Sequence, residues 1–209
     1  MKKLIPVLIA IFAFVACEKD PDTDKLDNGY LVLTDYQKST TFNSFSTFFI
    51  PDSILAITGS KADTTYLTDA NAKSVINAFK TNMTNRGYTY TSKKGTADLG
   101  IQLSYIEDTY YLTTWGDPWR YSGYWWPGYW NGAWNNYNWY YPYAVTYSYN
   151  TGSLIADMIN LDATPTSNKL PIIWNTYISG LIAPNGGLNT TKTVASVNQA
   201  FTQSPYLKK

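Results

Sequence analysis

Five acidic side chains are the candidates for catalysis in this sequence, because a pair of carboxylates can hydrolyse a glycosidic bond. The chain contains no histidine, which excludes a Ser-His-Asp or Cys-His site. Acids at strand ends are ordinarily solvated or cap a turn, so we expect no catalytic residue. A carboxylate-dependent glycan hydrolase remains the alternative function, and its candidate acids are Asp98, Glu107, Asp108, Asp117 and Asp157.

A calcium loop is the one metal site that the spacing of residues suggests. Asp20, Asp22 and Asp24 occupy the first, third and fifth positions of such a loop. The sixth position should be glycine and is Lys25, and the twelfth should be glutamate and is Leu31. The ligand set is therefore incomplete, and we predict neither a metal nor a cofactor.

The segment from Trp115 to Tyr149 has the composition of a binding surface. It holds seven of the eight tryptophans and nine of the nineteen tyrosines, and its only charged side chains are Asp117 and Arg120. Such rings stack on the faces of sugars, and a large exposed apolar patch normally marks an interaction site. The predicted binding residues are its tryptophans: Trp115, Trp119, Trp125, Trp126, Trp130, Trp134 and Trp139.

Three fates of this segment stay open. Its rings can pack on the second face of a sheet, since each ring buries about 150–250 Å². They can bind a glycan or an envelope protein, with asparagines such as Asn131 and Asn135 bonding hydroxyl groups. They can also contact a membrane, because tryptophan and tyrosine favour the depth of the lipid headgroups.

The N-terminus reads as a lipoprotein signal peptide covering residues 1–16. Lys2 and Lys3 form a basic start, and the apolar run that follows is too short to span a bilayer. The run ends just before Cys17, the only cysteine, which we predict to be acylated. The predicted partner of the N-terminus is therefore the membrane, and an ordinary secretory signal is the alternative.

Residues 17–28 are predicted to be an acidic tether that follows the lipid. The order Cys17-Glu18-Lys19-Asp20 resembles the surface-export signal of Bacteroidetes lipoproteins. We expect a lipid anchor in the outer membrane with the protein at the cell surface, and a periplasm-facing anchor is the alternative. Without Lys2 and Lys3 the 16 basic residues fall to 14 against 15 acidic ones, so nucleic acid is not an expected partner.

Residues 29–209 are predicted to form a single α+β domain with an aromatic-rich insert at 115–149. Apolar residues recur at helical spacing from Ala72 to Met83, and Asp69 and Gly87 are suited to begin and end that helix. A second helix is expected from Thr190, closed by Pro205.

Five strands are expected in the same region. They cover Leu31–Tyr36, Phe42–Ile50, Asp98–Tyr105, Ser153–Leu161 and Ile172–Leu181, with a surface connection at 52–68. Alternation along the third strand predicts that Gln102 and Ser104 lie on a partly wet face. The order predicts a two-layer sandwich with two helices on one face of a largely antiparallel sheet, mixed where the first helix crosses over.

The landmarks in this order resemble the bacterial lipoproteins of domain-of-unknown-function family 4136. They are Asp35-Tyr36, Phe42–Phe48, Gly87-Tyr88, Ala97-Asp98-Leu99, Gly152–Asp157, Trp174 and Pro205. The chain departs from the family pattern at Asn160 and at Asn175-Thr176, which argues against a shared active site at those positions. The resemblance implies a fold and an envelope location, and it implies no known activity.

Overall fold

The structure is a computed structural model that describes residues 29–57, 65–106, 152–163, 171–183 and 187–209. These residues form an α+β arrangement with a mixed sheet of eight strands and two helices. The helices are α1 (Ala70–Asn85) and α2 (Thr190–Thr202). The strands are β1 (Leu31–Tyr36), β2 (Thr47–Phe49), β3 (Ile54–Ile57), β4 (Thr65–Leu67), β5 (Thr89–Tyr90), β6 (Leu99–Ile106), β7 (Ser153–Asn160) and β8 (Ile172–Ser179).

The sheet is antiparallel on one side of β6 and mixed on the other, where β3 and β4 are antiparallel to each other. Its order is β1-β8-β7-β6-β2-β5, and β3 also pairs with β6 and with β4. The pairs among β1, β8, β7 and β6 are antiparallel. The pairs of β6 with β2 and β3 are parallel, because α1 lies between these strands in the chain and carries it across the sheet.

The predicted sheet of five strands was too small, and the predicted second strand was misplaced. Residues 42–44 form a turn of 3₁₀ helix, and strand pairing begins only at Thr47. The expected surface connection at 52–68 contains β3 and β4. β2 and β3 pair with successive parts of the same edge of β6, with Pro51 between them. Proline has no backbone N–H to donate, so Pro51 interrupts the pairing with β6 between β2 and β3.

Both helices begin and end where the sequence predicts. The Asp69 carboxylate accepts a hydrogen bond from the Ala72 backbone N–H at 2.8 Å and caps α1. Gly87 has φ +93°, the left-handed conformation that ends a helix. Asn189 caps α2 by accepting from the Lys192 backbone N–H at 3.0 Å. In the described part of the chain, neither helix is long and apolar enough to cross a membrane.

The first face of the sheet is the one on which α1 and α2 pack. Phe79 of α1 and Phe201 of α2 meet edge to face at 5.7 Å. Trp174 of β8 lies 5.5 Å from the Phe201 ring and is fully buried, and its indole N–H donates to the Ser204 hydroxyl at 2.9 Å. Alternate residues of β6, β7 and β8 complete this apolar core.

The predicted partly wet face of β6 is wrong for the described strand, because every residue from Leu99 to Ile106 is buried. Gln102 is only 7% exposed and Ser104 only 5%. The face that carries these two side chains is the second face of the sheet, opposite the helices. Its burial is the main departure of this sheet from the predicted two-layer sandwich.

Candidate functional site

The second face of the sheet carries a row of polar side chains across three neighbouring strands. Gln102 of β6 lies directly opposite Asp157 of β7, and Asp157 lies directly opposite Asn175 of β8. Residues paired in this way have Cα atoms about 4.5–5.5 Å apart, so their side chains can interact. Asp157 is only 2% exposed, although an ionised carboxylate is costly to bury without hydrogen-bond donors around it.

Hydroxyl groups flank this polar row on the same face. The Ser153 and Tyr177 hydroxyls are 3.0 Å apart and share a hydrogen bond. The Gln102 side-chain amide donates to the Ser104 hydroxyl at 3.4 Å. Together the amides and hydroxyls offer both donors and acceptors, whereas a carboxylate in its ionised form only accepts. The row is therefore suited to hold polar groups that approach the sheet from this side.

Asp98, one of the candidate catalytic acids, has a structural role. Its Oδ2 atom accepts hydrogen bonds from the backbone N–H groups of Ser46 and Thr47 at 2.6 and 2.9 Å. The Thr47 hydroxyl in turn accepts from the Asp98 backbone N–H at 3.0 Å. These hydrogen bonds join the start of β2 to the start of β6. The Asp98 carboxylate therefore has a structural role in the pairing of the two strands.

The electrostatics of Asp98 agree with that role. Burial by itself would raise the pKa of the Asp98 carboxyl. The hydrogen bonds from Ser46 and Thr47 and the charge of Lys209 have a larger opposite effect, so the pKa is lowered. A lowered pKa suits a permanently ionised group that organises backbone N–H donors. A general acid instead needs a raised pKa to stay protonated near neutral pH.

The two described candidate acids lie at different places along the sheet. Asp157 pairs with Gln102, four residues along the chain from Asp98, which places the two Cα atoms roughly 14 Å apart at the rise of a strand. A glycosidase needs two carboxyl groups about 5–9.5 Å apart, whereas the Asp98 carboxylate is bonded to the Ser46 and Thr47 backbone N–H groups. Glu107, Asp108 and Asp117 lie outside the described residues. Within the described chain, no group of three or more Asp, Glu, Cys or His residues could hold a metal ion.

Residues 107–151, which contain the aromatic segment, leave the sheet and rejoin it at neighbouring positions. We call this junction, formed by Ile106, Gly152 and Ser153, the neck. Ile106 is the last residue of β6 and pairs with Ser153, the first residue of β7. The Gly152 backbone N–H donates to the Ile106 carbonyl at 2.8 Å, and the Gly152 carbonyl accepts from the Leu181 N–H at 3.0 Å. The chain therefore leaves the sheet and returns to it at adjacent positions, with residues 107–151 between them.

Glycine is required at position 152 of this neck. Gly152 has φ +78°, and a Cβ atom there would overlap Cγ1 of Ile182. Only glycine adopts this conformation without strain and leaves room for the isoleucine. The tight packing fixes the direction in which the chain rejoins the sheet.

The predicted lipidation and binding residues lie outside the described part of the chain. This applies to Cys17 and to all seven tryptophans of the aromatic segment, so their roles stay predictions. The structure adds three residues that sequence reasoning did not select together, namely Gln102, Asp157 and Asn175. A signal for one of them was present, because Asp157 closes the family-like motif that begins at Gly152.

The described residues define an α+β protein with two helices on one face of a mixed sheet and a buried polar row on the other. The family described as Domain of unknown function (DUF4136) matches residues 32–206, and this chain belongs to that family. The match confirms the resemblance drawn from the order of the sequence landmarks. It brings no established activity with it.

Two solved structures are similar to the chain. A DUF4136 family protein from Bacteroides thetaiotaomicron VPI-5482 is 46% identical, with a TM-score of 0.74 over 87% of this chain and 99% of that chain. A PelC dodecamer from Paraburkholderia phytofirmans is 8% identical, with a TM-score of 0.39 over 86% of this chain and 98% of that one, a likeness too weak to support an argument. Curated proteins give no match.

Proposed function

We propose that this protein is a non-catalytic, lipid-anchored protein of the outer membrane that binds a glycan or an envelope protein through residues 115–149. The observation that carries the proposal is the concentration of sixteen tryptophan and tyrosine rings in a segment that the neck attaches to the sheet. Aromatic side chains supply large, rigid contact areas at low cost in conformational entropy. A sheet is also a firm base for a binding segment.

The chemistry of the segment favours a glycan over a charged partner. Its only charged side chains are Asp117 and Arg120, so it has little with which to attract an ionic ligand. Trp and Tyr rings stack on the C–H faces of sugar rings, and asparagine amides such as those of Asn136 and Asn138 bond hydroxyl groups. An envelope protein with an exposed aromatic or apolar patch is the second partner that this chemistry suits.

Binding is tested with the full-length protein and insoluble envelope polysaccharides in a pull-down assay. We expect Trp125→Ala and Trp126→Ala to reduce retention on the polysaccharide at least tenfold. Trp174→Phe is the matched control, because Trp174 is fully buried on the first face and should leave retention unchanged. Equal retention of all three variants would contradict a binding role for the segment.

The same experiment tests the hydrolase alternative. A hydrolase releases soluble sugar from the polysaccharide and loses that activity when one essential acid is replaced. Asp157→Asn is the informative variant among the described acids, because Asp98 is occupied by backbone hydrogen bonds. Retention without release of sugar supports a binding protein, whereas release that Asp157→Asn abolishes would replace the proposal with the hydrolase.

The lipid anchor is supported by the sequence around Cys17. A basic start, a short apolar run and a lone cysteine are together typical of a lipoprotein signal, and Lys19-Asp20 follows the cysteine as in a surface-export signal. We expect radiolabelled palmitate to enter the wild-type protein in cells and to be absent from Cys17→Ser. Label that persists in Cys17→Ser would contradict acylation of this residue.

Location at the cell surface is tested separately from acylation. Protease added to intact cells should degrade a surface-exposed protein, and Lys19→Ala together with Asp20→Ala should protect it by retaining it in the periplasm. Protection of the wild-type protein in intact cells would favour the periplasm-facing alternative.

A further inference from the structure

We propose that the second face of the sheet is the docking surface for residues 115–149 of the same chain. The first argument is burial. Both described helices pack on the first face, and a sheet face without a covering layer is exposed to solvent. The second face is nevertheless buried across three strands, at Gln102, Ser104, Ile106, Ser153, Ile155, Asp157, Ile159 and Tyr177.

The second argument is the position of the neck. Ile106 and Ser153, the two residues between which the segment is inserted, are themselves side chains of the second face. The eight residues 107–114 that lead into the segment span up to about 26 Å when extended. This exceeds the distance from the neck to the polar row, since Gln102 is only four residues from Ile106 along β6. The segment can therefore reach every part of the face.

The third argument is chemical complementarity. The polar row presents the buried Asp157 carboxylate, and hydrogen-bond donors stabilise a buried carboxylate. Each tryptophan offers an indole N–H and each tyrosine a hydroxyl, and the attached rings supply apolar area. Ile155 and Ile159 lie on the same face, two residues to either side of Asp157, and give those rings an apolar surface. Rings that do not contact the sheet remain available to a partner.

The docking does not depend on the proposed binding function, because it concerns how the segment is held. It places Asp157 as a positioning residue for the segment. Its matched counterpart is Asp98, an aspartate at the start of β6 whose carboxylate bonds to Ser46 and Thr47 instead. The same substitution at the two aspartates therefore separates docking of the segment from stability of the sheet.

The experiment is acrylamide quenching of tryptophan fluorescence in the full-length protein carrying Trp174→Phe. In that background all tryptophan emission comes from the seven tryptophans of the segment. We expect weak quenching in the background protein, and a quenching constant at least doubled by Asp157→Asn but unchanged by Asp98→Asn. Quenching as strong as that of free tryptophan in the background protein, or equal quenching in both variants, would overturn the docking.

Tryptic cleavage gives a second readout that needs no fluorescence. Arg120 is the only lysine or arginine in residues 107–151, so trypsin has one site there. We expect Asp157→Asn to be cut at Arg120 faster than Asp98→Asn. If Asp157→Asn does not fold, Asn175→Leu replaces it in this experiment. That substitution removes a polar group from the same row, and Asn175 is only half-buried, so the change is easier to tolerate. Cleavage at the same rate in all variants would contradict the docking whatever partner binding shows.

Discussion

The two faces of the sheet are buried by different means. The first face is apolar and aromatic and is covered by two amphipathic helices, and its side-chain hydrogen bonds include that from Trp174 to Ser204. The second face mixes isoleucines with Gln102, Asp157 and other polar side chains. Burial of apolar area stabilises a fold, whereas burial of polar groups only avoids a cost when they are hydrogen-bonded. Burial on the first face therefore contributes more to the stability of the fold than burial of the polar side chains on the second face.

The sharpest test of this comparison uses two aromatic residues of β8 that face opposite ways. Trp174→Ala on the first face should lower the free energy of unfolding by about 4 kcal/mol, because it leaves a large cavity in the core. Tyr177→Phe on the second face removes only the hydroxyl that bonds Ser153 and should cost about 1 kcal/mol. Urea unfolding of the full-length variants measures both, and similar losses would contradict the division between the faces.

The second test compares two glycines with positive φ. Gly152→Ala at the neck should cost about 3 kcal/mol, because the backbone is strained for alanine and the Cβ atom meets Ile182. Gly87→Ala after α1 has the same kind of strain, but its Cβ atom would be 3.3 Å from Lys209 Cβ, so about 1 kcal/mol is expected. Thermal unfolding followed by circular dichroism gives the order, and a larger loss at Gly87 would show that the neck is not tightly packed.

The third test is the pH dependence that Asp98 contributes. Asp98→Ala should lower stability by about 1.5 kcal/mol at pH 7, since it removes a charged acceptor of two backbone hydrogen bonds. The pKa of Asp98 is lowered in the folded protein, so its contribution is present above the unfolded pKa and is lost as the pH falls through the folded one. The difference between wild type and variant should therefore shrink below about pH 4. A difference that stays constant down to pH 2 would contradict this role.

The fourth test concerns the helix caps of the first face, where the effects are again small. Asp69→Ala and Asn189→Ala each remove a side-chain acceptor for a backbone N–H and should each cost about 1 kcal/mol. Neither should change quenching of the tryptophans at 115–139, because both helices lie on the opposite face. A cap variant that raised that quenching would show that the two faces are coupled.

The elements with strong local signals were predictable from the sequence. α1 has a capping aspartate, an apolar stripe and a stop glycine, all within residues 69–87, and its structure agrees with them. The long strands β6, β7 and β8 are also where their apolar and β-branched residues indicate. These features depend on neighbours along the chain, which a sequence displays directly.

The remaining features depend on neighbours in space. β3 and β4 are three or four residues long in a region rich in Ser, Thr and Asp, and β3 is a strand because it pairs with the exposed edge of β6. The polar row needs the register of three strands, which places Gln102, Asp157 and Asn175 side by side although they are far apart in sequence. Alternation identified the face of Gln102, but it could not tell whether that face is covered.

The neck also determines how freely the chain between β6 and β7 can be changed in length. Because Ile106 and Gly152 are already joined by a hydrogen bond, the ends of the intervening chain are fixed by the sheet whatever its length. The entropy of closing a chain grows only with the logarithm of its length, so residues 107–151 cost about 2 kcal/mol more to close than a four-residue turn. Replacement of residues 107–151 by such a turn should therefore leave the sheet pairing intact, and unrelated sequences of other lengths could be grafted at the same position.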